Sequence, residues 1–189
     1  MFSMLPLTTL AFRDVGQNLK YITVEIAIEP QERTQWCWAA VAMGVSAFFD
    51  AGSIWTQCSI ATQVTGGPCC GPQQDGDGCD IPEPLEAVLQ SVGVTTQRSS
   101  VFDITAIANE IINEKRPVAV RIEWTDSGHV GEGHYIVISG VESTAEFASI
   151  QYIKIMDPLY GPSICSIDDL REAYTQNRGR WTDCYFMRF

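Results

Sequence analysis

Histidine is nearly absent from this sequence: 189 residues hold two, His129 and His134. Any chemistry that needs an imidazole near neutral pH must use one of them. Basic side chains are also scarce, 12 against 23 acidic, for a formal net charge of −11. They are scattered, which argues against a nucleic-acid backbone or an anionic membrane surface as the main partner. No apolar run approaches the ~20 residues of a membrane-spanning helix. The opening "MFSMLPLTTLAF" lacks a positive n-region, is broken by Pro6 and shows no small-residue cleavage site. It therefore reads as an arm or early strand, residues 1–20, and not as a signal peptide. Internal repeats and low-complexity segments are missing. So is any C-x2-C pair among the seven cysteines.

What is present suits one folded domain, residues 21–189. Hydrophobic residues make up 46% and charged residues 19%, enough for a sizeable core. "YITVEIAIE" (21–29) alternates as a half-buried strand does. "WAAVAMGVSAFF" (38–49) is apolar throughout and predicts a buried helix ending before Gly52. Residues 53–82 are rich in turn formers and cysteine, a loop that needs staples. Short helices follow over 83–93 and 103–115, the second with Asp103 as N-cap. The pattern then turns to strands over 117–124, 134–141, 149–157 and 181–189, with a helix over 166–176 capped by Ser166. A helical part (about 30–116) and a sheet part (about 117–189) predict an α+β fold.

Cys37 opens the buried helix. A helix N-terminus favours negative charge and offers free N–H groups, which suits a nucleophilic thiol, although a small core residue fits there too. His134 opens the apolar strand "HYIVISGV", while His129 lies in the Gly-rich "TDSGHVGEG". Asp157 ends the next strand in "IKIMDPLYG". If residues 142–149 close a regular hairpin, His134 and Asp157 face each other directly, and the carboxylate can orient the imidazole. The bland role for Asp157, an Asx turn at Pro158, is compatible with this. Gln31, six residues before Cys37, can donate to an oxyanion beside the Cys37 N–H, with Gln35 as competitor.

The remaining cysteines are Cys58, Cys69, Cys70 and Cys79 in one group and Cys165 and Cys184 in another. Six in three bridges would leave Cys37 as the odd thiol. The first four allow three connectivities, with a zinc site as the rival reading. The last two are expected to clip the final strand onto the sheet. Bridges would imply an oxidising compartment. The five tryptophans read mainly as core, with Trp36 a candidate to line the cleft. Glu123 and Asp126 read as solvated charge more than as an acidic rim.

Together "Q-x5-C-W" (31–38), "GHYIVISGV" (133–141) and "DPLYG" (157–161) resemble papain-fold cysteine peptidases, and most closely the bacterial papain-like effector family typified by AvrRpt2. The likeness extends through "QWCWAAVAMGVSAFF", "WTQCSIA", the vicinal "CC", "CDIP" and "GRWTDCYF", from about residue 25 to 189. It implies a helical lobe with a buried central helix packed on an antiparallel sheet lobe, with the active site in the cleft between. It implies a cysteine endopeptidase with Cys37, His134 and Asp157 as triad and Gln31 in the oxyanion hole. Trp36, Trp38 and Gly133 are expected at the substrate cleft. The implied partner is a protein or peptide substrate, with an inhibitor or immunity protein in a toxin setting. No metal or organic cofactor is called for. The implied setting is an effector or toxin delivered by a non-classical route, with the cytoplasm as alternative. A transamidase or deamidase using the same triad, and a non-catalytic binding module, are the rival functions.

Overall fold

A computed structural model describes residues 20–71, 78–125 and 133–189. His129 and Asp126 lie outside the described residues. A seven-stranded antiparallel sheet runs in the order β2-β7-β3-β4-β5-β6. These strands are Thr95–Ser99, Gly179–Arg188, Val118–Trp124, Gly133–Glu142, Tyr152–Asp157 and Gly161–Ser166. β1 (Tyr21–Thr23) pairs the far end of β4, beyond the stretch that β3 uses. The strand expected over 21–29 thus keeps only its first three residues in the ladder. Val24 adds one further bond, its N–H to the Ser139 carbonyl at 2.8 Å.

β4 is buried on both sides, as its continuous apolar run requires. Its odd positions, Tyr135 and Val137, pack with α1 (Cys37–Phe49), α2 (Gln57–Thr65) and α3 (Leu85–Ser91). Its even positions, Ile136 and Ile138, pack with α4 (Ile104–Ile112) and α5 (Ile167–Glu172). Helices therefore cover both faces of the sheet, in an α+β architecture. The expected division at residue 117 is corrected by β2, which comes from the helical half and pairs β7. Its sequence, "TTQRS", has no apolar face to betray it.

α1 is the central helix, and nine of its 13 residues are buried. Alanine and glycine let neighbouring backbone approach it. A β-carbon on Gly44 would collide with the Ala27 carbonyl, so the 24–29 segment lies directly against the helix. α4 starts as expected, with the Asp103 carboxylate accepting from the Thr105 and Ala106 N–H groups. Among the described residues no helix is long and apolar enough to cross a membrane.

Candidate active site

The N-terminus of α1 has no side-chain cap and no acidic residue in its first turn. Cys37 is its first residue, so its N–H is among those without an intrahelical acceptor. A strap of residues 79–81 holds this terminus instead. The Trp36 indole donates to the Cys79 carbonyl at 2.6 Å and the Trp38 indole to the Ile81 carbonyl at 3.0 Å. The Asp80 carboxylate accepts from the Gln35 N–H at 2.7 Å and from the Thr34 hydroxyl at 2.5 Å. The strap is in turn clamped by disulfides Cys58–Cys70 and Cys69–Cys79. These four sulfurs are bridged in pairs, which removes the zinc reading.

Trp36 and Trp38 are 1% and 0% exposed, so both belong to the core, and their expected place at the cleft is corrected. An indole that must bury its ring and satisfy its N–H finds both in the strap. Gly133 is explained by close approach, since a β-carbon there would meet the Arg121 guanidinium at 2.7 Å. Cys165 and Cys184 are free thiols, against the expected third bridge. They sit on β6 and β7, with β3, β4 and β5 between them in the sheet. Disulfide geometry needs Cα atoms within about 7 Å. Burial pushes each thiol up to about 12.

His134 Nε2 donates to Asp157 Oδ1 at 2.9 Å, and Cys37 is near enough to the ring to add to the pull of Asp157 on its proton. All three side chains are buried. The two strands do not meet in the expected register. At the hairpin end Val141 faces Ile153 and Gly140 faces Lys154. Continued without interruption, that register would put Asp157 opposite Val137, on the face away from His134. A bulge at Ser139 shifts it, so that Ile138 faces Ile155 and Val137 faces Met156. Asp157 then falls level with Ile136, on the His134 side, and reaches the imidazole diagonally. The Ser139 carbonyl at this bulge accepts from the Val24 N–H, where β1 runs on along the other edge of β4.

Asp157 is held on every side. Its Oδ1 also accepts from the Leu159 N–H at 2.7 Å and the Tyr160 N–H at 3.1 Å, the Asx-type turn read in the sequence. Its Oδ2 accepts from the Tyr174 hydroxyl at 2.5 Å. Burial alone would raise this carboxyl, but the bonds from His134, Tyr174 and Leu159 outweigh it and hold it below the ordinary range. For His134 burial opposes the cation, yet the hydrogen bonds and charges of Asp157 and Cys37 prevail, raising it to about 10. Trp124 stacks on the imidazole at 5.4 Å and 20°. Tyr160 meets the ring edge-on at 6.4 Å.

Gln31 lies in the loop before α1, and its N–H donates to the Pro158 carbonyl at 2.9 Å. This ties the loop to the turn after Asp157. Its side-chain amide donates to the Arg33 carbonyl at 2.9 Å and the Thr34 carbonyl at 2.7 Å, while its buried Oε1 has no partner. Glu123, read as surface charge, is paired with Arg180 at 2.7 Å.

The sequence reading missed three residues here. Asp80 stands next to Cys79 in "CDIP", and that adjacency was the available signal. Trp124 ends a strand beside the strand that His134 opens, so its place was readable once β3 and β4 paired. Tyr174 had no local signal.

The model of the papain-like cysteine protease AvrRpt2 family matches residues 20–175. No curated protein matches the chain. A solved double glycine motif protease from an AMS/PCAT transporter, in complex with the leader peptide, shares a distant likeness. Its TM-score is 0.46 at 14% identity, over 87% of this chain and 92% of that one. With the family model spanning most of its length, the chain belongs to the AvrRpt2 family of papain-like cysteine proteases.

Proposed function

We propose that this peptidase is an endopeptidase working through Cys37, His134 and Asp157, and that it serves as an effector or toxin against a specific protein target. One observation carries the reading: the buried His134 imidazole donates to the Asp157 carboxylate at 2.9 Å, with Cys37 buried beside it at the start of α1. Nε2 serves the carboxylate, which leaves Nδ1 for the thiol. His134 takes the Cys37 proton as the sulfur attacks a peptide carbonyl. The uncapped Cys37 N–H receives the oxyanion. Gln31 joins it by exchanging one of the two loop carbonyls that its amide now serves for the substrate oxygen, a turn that also offers its unsatisfied Oε1 a partner. Imidazolium then protonates the leaving amine, and water releases the acyl group.

Two disulfides beside the site favour a protein that folds or works in an oxidising compartment, in keeping with delivery outside the cell of origin. The test compares wild type with Cys37→Ala on a cell lysate, mapping new protein termini. Cuts made by wild type and missing with C37A support the endopeptidase. Equal numbers of termini refute it. New glutamate or cross-linked glutamine residues in place of cuts would point to deamidation or transamidation.

A further inference from the structure

Tyr174 is the one described partner of Asp157 Oδ2, at 2.5 Å, while Oδ1 serves three donors. The tyrosine is 4% exposed and packs beside Trp124 at 6.4 Å, so its hydroxyl and the carboxylate meet away from water. The chain around it is strained. Thr175 and Gln176, directly after it, both adopt left-handed backbone at φ 49° and 66°. Such conformations are unfavourable for residues with side chains, above all for β-branched threonine. The Thr175 hydroxyl is buried there without a partner. The turn nevertheless lets Tyr174 bridge Gly179 as an extra rung beside β7. Strain that persists at a functional centre asks for a purpose, and here the turn delivers one hydroxyl to one buried oxygen.

We propose that Tyr174 is a positioning residue of this site, locking the Asp157 carboxylate in the plane that aims Oδ1 at His134. The assignment rests on the proposed role of Asp157 as the group that orients His134. Tyr174 touches no substrate and acts through the carboxylate alone. Without its hydroxyl, Oδ2 loses its donor and the carboxylate is freer to turn about its Cβ–Cγ bond. Burial and the carboxylate beside it raise the phenol well above its ordinary value, so it remains a donor across the working range. The groups facing this carboxylate–phenol pair are His134 on β4, Cys37 on α1, Cys165 on β6 and Tyr160 in the β5–β6 turn.

Two histidines make the test readable. Protein carrying 15N-histidine and Cys37→Ala, so that the imidazole answers to Asp157 alone, is followed by NMR against pH. His134 Nε2 faces Asp157, so its shift reports protonation of the carboxyl on the acid side. Tyr174→Phe should move that transition upward by about one pH unit, the size expected for losing one hydrogen bond to a charged group. In otherwise wild-type enzyme, Y174F should lower kcat about tenfold with KM little changed, and should cost nothing further once Asp157→Ala is present. An unmoved transition overturns the proposal, and so does a Y174F cost that is equal with and without D157A. Should Y174F not fold, 3,5-difluorotyrosine at position 174, a stronger donor of nearly the same shape, must move the transition downward. An unchanged midpoint with that residue overturns it equally. A protein that cuts no peptide yet shows these shifts loses the endopeptidase reading and keeps the Tyr174 assignment.

Discussion

Removing the Cys69–Cys79 bridge by Cys69→Ala with Cys79→Ala should weaken both the fold and the site, in separable amounts. The bridge closes a sequence separation of 10 residues. Loop-closure entropy then gives about 2.7 kcal/mol of lost stability. The Cys58–Cys70 bridge closes a separation of 12, for about 2.8 kcal/mol, so the two variants should be equally destabilised. At about 3 °C per kcal/mol for a chain of this size, each should lower Tm by about 8 °C. Activity should separate them. Cys79 begins the strap that accepts the Trp36 and Trp38 indoles and carries Asp80 against Thr34 and Gln35. Freed of its bridge, the strap no longer fixes the backbone entering Cys37, and a misplacement near 1 Å costs on the order of a hundredfold in rate. C58A/C70A leaves the strap clamped and should lose little activity at a temperature where both variants are folded. Differential scanning calorimetry and peptide cleavage below 25 °C provide the two readings. A Tm for C69A/C79A within about 2 °C of wild type refutes the entropic argument. Equal activity losses in the two variants refute the role given to the strap.

The imidazole and its surroundings answer to pH and to substitution as well. The His134 value is raised in the folded protein, so its contribution to stability is full below pH 6.5 and is lost as pH rises through about 10. That of Asp157 is lowered, so its contribution is present above the ordinary value of 3.8 and is lost as pH falls below it. The Tm difference between wild type and Asp157→Asn should therefore be largest between these limits and shrink at both ends; a flat difference would contradict the assignment. Trp124→Ala removes the stacked indole from His134 and lets water reach the imidazole–carboxylate bond. A stack of this kind contributes about 0.5–1.5 kcal/mol, so kcat/KM should fall by up to about tenfold. Steady-state rates within twofold of wild type would show that the ring does no more than fill space.

Much of this arrangement was legible in the sequence, because helices and strands carry their periodicity locally. The apolar stretch after Cys37, the continuous strand after His134 and the "DP" turn after Asp157 each declared themselves. Their mutual register did not. The symmetric hairpin put His134 opposite Asp157, and the structure joins them diagonally through the bulge at Ser139. The bulged residue is packed on its other edge by Val24, 115 positions earlier, so no local pattern could reveal its surroundings. α2 was hidden for a different reason. Its start is a capping box made by Thr56 and Ser59, inside a stretch whose cysteines and glycines read as loop. β2 was hidden because an edge strand of polar residues needs only a partner, here β7. The supposed Cys165–Cys184 bridge failed because pairing by elimination ignores which strands become neighbours.

The proposed activation of Cys37 by His134 has an internal reference in the two other free thiols. Burial raises Cys165 and Cys184 to about 12, which leaves them poor nucleophiles near neutrality. Iodoacetamide labelling at pH 6.5, followed by peptide mass spectrometry, should modify Cys37 first. His134→Ala should slow that modification by at least about tenfold. Labelling of Cys37 at the rate of Cys165, or at an undiminished rate in H134A, would contradict the account.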